Sequence, residues 1–404
     1  MANSSSFNKA KAAKSDEFYT QYDDIQKEIE AYLEYNSNTF RGKVVYCNCD
    51  DPFESNFFRY FVLNFNKLGL KQLITTSYKP SPVANTQLQL FGDDKTLPKS
   101  KGRPKVTANK FIINEVHDID DDGEFNLKDV AKQLKTNKHN EWTPLEADGD
   151  FRSPECEELL KQSDIVVTNP PFSLFRPYIK QLFDHKKKFI IIGSLNAITY
   201  KEIFPLIKNN KLWLGVTMDG RNKWFQVPDD YPIRENVANS KIEGGNKFLF
   251  VKGCLWFTNL DHGRRHQSLP LMTKADVIKF VTKKPFEKYD NYNAIEVSLV
   301  KNIPSDYKGV MGVPISFLNK YNPDQFEILG ATQRGCHDEV PDTKKYNDYW
   351  EVRQNGSKTG SSGGKTNENA NLVGNDGKKN YFINKDGRMI QSAYQRIFIK
   401  HKKK

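Results

Sequence analysis

Cysteine is scarce in this chain. Five residues, Cys47, Cys49, Cys156, Cys254 and Cys336, are odd in number and scattered over 404 positions, which argues against a disulfide framework. Cys47 and Cys49 stand in C-x-C spacing within a strand-like run, so both are expected on one face. No second Cys/His pair stands at zinc spacing, so no metal site is expected. Long apolar runs are missing too. No segment approaches transmembrane length, and the N-terminus lacks the hydrophobic centre of a secretory signal, so a cytoplasmic protein without a membrane partner is expected. Glycine is absent between Gly42 and Gly69. That gap removes the tight turn by which a backbone approaches a pyrophosphate, and it argues against a nicotinamide dinucleotide. There is no internal repeat and no nuclease-like constellation.

Positive charge is in excess. The chain carries 61 Lys+Arg against 50 Asp+Glu, a net +11, so a polyanionic partner is plausible. Eighteen Tyr and 27 Phe add side chains able to stack on bases, although most are needed for a core. The length suffices for one large core with an appended lobe, or for two domains.

The most informative stretch is Ser163–Phe172, S-D-I-V-V-T-N-P-P-F. Ile165 to Thr168 are apolar or β-branched and read as a strand buried on both faces, as in a parallel sheet. Two prolines cannot continue a hydrogen-bonded ladder, so the strand stops and Asn169 falls at its carboxyl end. Open α/β sheets bind their ligands there. The chemistry suited to this tetrapeptide is methyl transfer to an exocyclic amine. The N6 lone pair of adenine is delocalised into the ring and is a poor nucleophile. The Asn169 side-chain oxygen can accept one N6 hydrogen and the Pro170 carbonyl the other. Accepting both pulls the nitrogen toward tetrahedral geometry. Proline's fixed φ holds its carbonyl rigidly, and Phe172 is expected to stack on a base that has left the duplex. The acceleration then comes from positioning and fixed dipoles. The same residues could also be a plain strand and turn, and the motif does not separate DNA, RNA and protein-glutamine acceptors.

Around it the chain alternates. The first fifteen residues are polar and basic, and are expected to be disordered. Ile25, Ile29, Tyr32 and Leu33 recur at helical spacing. Lys43–Asp51 is a strand ending in two carboxylates, followed by a helix over 56–68 and a strand over 70–77. An insertion is expected at about 79–145. Its first part, 79–110, is proline-rich and polar, with a strand at 111–116 and a short helix at 127–134 beyond it. Gln87-Leu88-Gln89-Leu90-Phe91 within it resembles the peptide by which bacterial enzymes dock on the replication sliding clamp; an edge hairpin is the other reading. Lys101-Gly102-Arg103-Pro104-Lys105 resembles an AT-hook core, or is a solvated basic loop. Asp148 and Asp150 lie one strand before the N-P-P-F strand. A carboxylate there can accept hydrogens from a cofactor's adenine, or can cap the helix that starts at Pro154. Strands and helices alternate to about 217, implying a mainly parallel sheet. From 218 to 404 short aromatic strands take over. They are read as completing the sheet and building a recognition lobe, with a basic cluster at His262, Arg264, Arg265 and His266 and a flexible loop at about 354–380.

Taken together, Ser15–Gln21 (S-D-E-F-Y-T-Q), Val44–Pro52 (V-V-Y-C-N-C-D-D-P), Gly149–Arg152 (G-D-F-R) and Asp164–Phe175 (D-I-V-V-T-N-P-P-F-S-L-F) resemble the DNA adenine-N6 methyltransferases of the EcoRI modification type. Leu212–Val216, Trp256–Asp261 and Gly309–Leu318 extend the resemblance over most of the chain. It implies an α/β, Rossmann-like methyltransferase domain over 16–217 with a C-terminal target-recognition region. It also implies S-adenosylmethionine as donor, a palindromic duplex DNA target, base flipping and monomeric action. By the same resemblance Phe18, Tyr19 and Thr20 match the N-terminal cofactor motif. Asp50 or Asp51 matches the acid at the end of the first strand, and Asp150 the acid that contacts the cofactor's adenine. Asn169, Pro170, Pro171 and Phe172 match the catalytic tetrapeptide, with Asn169 also beside the cofactor.

Overall fold

Short apolar runs pair first. β1 (Val44–Cys47) and β5 (Ile165–Thr168) are buried along their whole length and lie side by side in parallel, with Val45 opposite Ile165. β2 (Gln72–Thr76) runs parallel on the far side of β1, and β6 (Lys188–Ser194) parallel on the far side of β5. Val45, Val167, Ile190 and Ile192 are fully buried at this centre, each side chain worth about 1.5–3 kcal/mol of transfer free energy. Antiparallel strands flank the parallel four. β3 (Asn109–Ile113) and β4 (Glu141–Pro144) extend the β2 edge, and β11 (Cys254–Thr258) pairs with β6. With β7 (Trp213–Leu214) the order is β4-β3-β2-β1-β5-β6-β11-β7. The sheet, expected to be mainly parallel, is therefore a mixed one. Two strands from the region read as an insertion belong to the sheet itself.

This computed structural model describes residues 20–49, 55–77, 108–119, 125–136, 139–218, 223–227, 240–251, 253–332, 340 and 343–402. Residues 1–15, Phe18, Tyr19, Asp50, Asp51, Gln87–Phe91 and Lys101–Lys105 lie outside them. Among the described residues, no helix is long and apolar enough to cross a membrane.

The helices follow from their spacing. α1 (Tyr22–Tyr35) buries Ile25, Ile29 and Tyr32 on one face. Glu28 on that same face is also fully buried. Its carboxylate accepts from the Val216 and Thr217 amides at 2.9 and 2.7 Å, the Thr217 hydroxyl at 2.7 Å and the Tyr32 hydroxyl at 3.0 Å. Burial pushes the carboxyl pKa up, and these bonds oppose the rise. Gly215 has to be glycine, because a Cβ there would sit 2.2 Å from the Glu28 Oε1. α2 (Asn56–Leu63) starts on Ser55, whose side chain accepts from the Phe57 and Phe58 amides. α3 (Phe65–Leu68) continues it to a left-handed Gly69. α4 (Leu127–Thr136) follows β3, and α5 (Pro154–Gln162) is capped by Ser153 with Pro154 in its first turn. α6 (Phe175–Asp184) joins β5 to β6, and α7 (Phe204–Lys208) precedes β7.

The chain folds as two compact units, residues 1–197 with 214–263, and residues 198–213 with 264–404. β11, from the region expected partly to complete the sheet, belongs to the first unit. Between β7 and β11 the first unit carries a three-stranded antiparallel sheet. Its order is β8 (Lys223–Val227), β10 (Asn246–Val251), β9 (Ser240–Glu243). The second unit has a sheet in the order β12 (Ala294–Glu296), β13 (Val310–Pro314), β20 (Arg396–His401), β14 (Phe326–Ala331). A second sheet there has the order β16 (Lys358–Ser362), β15 (Tyr349–Val352), β18 (Tyr381–Asn384), β19 (Met389–Ser392), β17 (Asn371–Val373). β16 and β17 fall inside the stretch expected as a flexible loop. Backbone pairing to the more apolar β15 and β19 holds them.

Candidate active site

The sheet order reverses between β1 and β5. From β1 the chain moves to β2 on one side, and from β5 to β6 on the other, so the carboxyl ends of β1 and β5 frame the crevice where open α/β sheets bind ligands. Asn169 stands at that crevice, one residue beyond β5, and is 7 % exposed. Pro170 beside it is buried. Pro171 then turns the chain, and its carbonyl accepts from the Leu174 amide at 2.9 Å to start the 3-10 turn that leads into α6. Phe172, expected to stack on a flipped base, packs against the core cluster and is 8 % exposed.

Two supporting residues escaped the sequence reading. Asn48, the first residue past β1, is 2 % exposed. Its carbonyl accepts from the Thr168 hydroxyl, and its side-chain oxygen accepts from the Tyr178 hydroxyl on α6. These bonds tie the end of β1 to the end of β5 and to the following helix. Asn169 thus projects from backbone fixed on two sides. Cys49 follows with φ +62°, a left-handed conformation uncommon for a side chain of this kind and one that clusters at functional turns. The strand end does without glycine, and Cys49 adopts the conformation a glycine would supply.

Thr20 comes to the same end of the sheet. It is buried, and its carbonyl accepts from Asn56 Nδ2 at the start of α2 at 2.8 Å. Its hydroxyl is buried with no hydrogen-bond partner among the described residues. Gly149 brings in the acidic loop. With φ +78°, it lies so close to the end of β2 that a Cβ would sit 2.0 Å from the Ser77 carbonyl oxygen. The next residue, Asp150, accepts from Arg152 Nε at 2.8 Å, from Arg152 Nη2 at 2.6 Å and from the Arg152 amide at 2.9 Å. Phe151 meets the Tyr178 ring edge-on at 4.9 Å, and its carbonyl accepts from Gln181 on α6. Thr20, Asp150 and Asn169 are therefore gathered at one end of one sheet, although they are widely separated in sequence.

The basic cluster at 262–266 turns out to be partly structural. His262 is 1 % exposed, with a ring nitrogen 3.0 Å from the Leu214 carbonyl. The Arg265 guanidinium lies 3.6 Å over the Trp213 ring and bonds Asn210.

Residues 6–402 match the family described as adenine-specific methyltransferase EcoRI. The chain is 46 % identical over 321 residues to the Type II methyltransferase M.EcoRI of Escherichia coli, covering 80 % of this chain and 87 % of that protein. It is 38 % identical over 324 residues to M.MpnI of Mycoplasma pneumoniae, covering 80 % and 84 %. It is equally similar to M.MgeORF184P of Mycoplasma genitalium, covering 80 % and 85 %. No solved structure matches it. A match across nearly its whole length means that the chain belongs to the EcoRI family of adenine-specific methyltransferases.

Proposed function

We propose that this methyltransferase transfers a methyl group from S-adenosylmethionine to adenine N6 in double-stranded DNA after flipping the base, as a cytoplasmic modification enzyme of a restriction-modification system or as an orphan methylase. The observation that carries this reading is the position of Asn169-Pro170 at the switch point of the sheet, on backbone fixed by Thr168, Asn48 and Tyr178.

The residues around the crevice fit the donor. The buried Thr20 hydroxyl lacks a partner among the described residues, and the Asp150 carboxylate can trade Arg152 for amine hydrogens. The absence of a glycine-rich phosphate turn costs nothing for a cofactor without phosphate. When bound, S-adenosylmethionine supplies an electrophilic sulfonium methyl. The chain supplies the rest. Asn169 Oδ1 and the Pro170 carbonyl accept the two N6 hydrogens and aim the lone pair, and the low-dielectric strand end strengthens both bonds. No side chain is needed as a strong base, since the released proton leaves an amine that has become acidic on alkylation. The sheet is read as a Rossmann-like methyltransferase core and residues 218–404 as contributing target recognition, with one chain acting alone.

Incubation with tritiated donor and duplex DNA, digestion to nucleosides and chromatography test the reaction. The label is expected in N6-methyladenine. Label in 5-methylcytosine, or preferential labelling of RNA or protein in competition, contradicts it.

A further inference from the structure

The sheet formed by β8, β10 and β9 is not used by the chemistry above. β11 runs antiparallel to β6 with Cys254 opposite Ser194, so the chain enters β11 at the end where β6 finishes. β6 is parallel to β5, so this is the end that carries Asn169. Val251, the last residue of β10, precedes Cys254 by only three positions, and the Gly253 carbonyl accepts from the Leu195 amide just past β6. The small sheet therefore springs from the catalytic end of the large one.

Its two faces differ. Phe225 belongs to the main core, and Val251 packs against it. The opposite face carries Trp224, Phe248 and Phe250, which belong to no core cluster among the described residues and stay partly exposed. Register places Phe250 opposite Trp224 and Phe248 opposite Lys241. The Trp224 and Phe250 rings are 4.8 Å apart. The Lys241 ammonium caps this face, 5.1 Å from the Trp224 ring and 5.2 Å from the Phe248 ring, and pairs with Glu243. The ring pair and the lysine over it stabilise the hairpin, but they leave three large aromatics only partly covered. This face suits a ligand that offers flat rings and negative charge together.

We propose that this face is a stacking platform for the DNA strand opened at the target adenine. Bases unstacked by flipping lie on Trp224 and Phe248, and Lys241 leaves the rings for a phosphate. The proposal rests on DNA as the acceptor. Base–aromatic stacking and cation–phosphate attraction supply affinity without sequence readout.

Photocrosslinking tests it. A duplex carrying the methylated site is prepared with single 5-iodo-2′-deoxyuridine substitutions flanking and opposite the target adenine, irradiated with the enzyme, and mapped by peptide mass spectrometry. Crosslinks are expected at Trp224, Phe248 or Phe250. The Trp224→Leu/Phe248→Leu variant should bind the duplex about ten- to a hundredfold more weakly, with cofactor affinity unchanged and turnover recovered at saturating DNA. If that variant does not fold, Lys241→Glu, which changes a half-exposed side chain on the edge strand β9, should weaken DNA binding about tenfold with a shallower salt dependence. Crosslinks confined to other peptides, or none, overturn the proposal, as does wild-type DNA affinity in the folded variant. Adenine methylation that persists in that case leaves the catalytic reading intact, whereas absence of adenine methylation in the wild-type enzyme would remove that reading itself.

Discussion

Asn169→Ala should lower the single-turnover rate of adenine methylation by roughly 10²–10³-fold, the usual cost of removing one preorganised polar group from a reacting centre. The loss should appear in the chemical step. The side chain is small and stands past the end of β5, so its removal leaves the buried run Ile165–Thr168 and the Thr168–Asn48 link in place. Thermal stability should therefore change little, and cofactor affinity should largely persist. Rapid-quench measurement with enzyme in excess over DNA separates chemistry from product release. A variant with wild-type rate would remove Asn169 from the reaction. One with wild-type rate only at saturating cofactor would reassign it to cofactor binding.

Gly149→Ala should have the second large effect, by a different route. The new methyl group meets the Ser77 carbonyl oxygen at 2.0 Å and the Ala108 Cβ at 3.0 Å, on backbone at φ +78°. The left-handed conformation costs roughly 1–2 kcal/mol for a non-glycine residue, and overpacking costs about 1–3 kcal/mol more. Backbone cannot move aside as a flexible side chain can, so the loop carrying Asp150 and Phe151 has to shift away from β2 and α6. Calorimetry should show a lower melting temperature, and titration with S-adenosylmethionine a dissociation constant weakened at least about tenfold, equivalent to about 1.4 kcal/mol. Asp150→Asn should reproduce the affinity loss without the stability loss. Unchanged affinity in both variants would place the cofactor's adenine elsewhere.

The strands that position the site were legible because burial on both faces leaves an unmistakable apolar run. Val44–Cys47, Ile165–Thr168 and Phe189–Ile192 needed nothing but their own composition. The position of the tetrapeptide Asn169–Phe172 was legible because two prolines end a strand at a known place. β3 and β4 were read within an insertion, since both sit between polar segments, β3 alternates in burial and β4 is a partly exposed edge strand. β16 carries no apolar residue at all. It is held by main-chain bonds to β15 and by Lys358 lying 4.4 Å over the Trp350 ring, neither of which leaves a hydrophobic pattern. The Thr168–Asn48–Tyr178 links were invisible for another reason. They join residues 120 and 130 positions apart, and only the pairing of β1 with β5 brings them together. Arg265 and His262 read as a charged patch, but their neighbours Trp213 and the Leu214 carbonyl, about fifty residues earlier, turn them inward.

The most direct measurement is a structure of the enzyme with a non-reactive S-adenosylmethionine analogue and a duplex containing its methylation site. The flipped adenine N6 is expected within hydrogen-bonding distance of both Asn169 Oδ1 and the Pro170 carbonyl oxygen, with the analogue's methyl-equivalent position on the open side of the nitrogen. An adenine left in the helix, or an N6 held by other residues with Asn169 remote from it, would contradict the assignment of the strand end at 169–170 as the place where the amine is gripped.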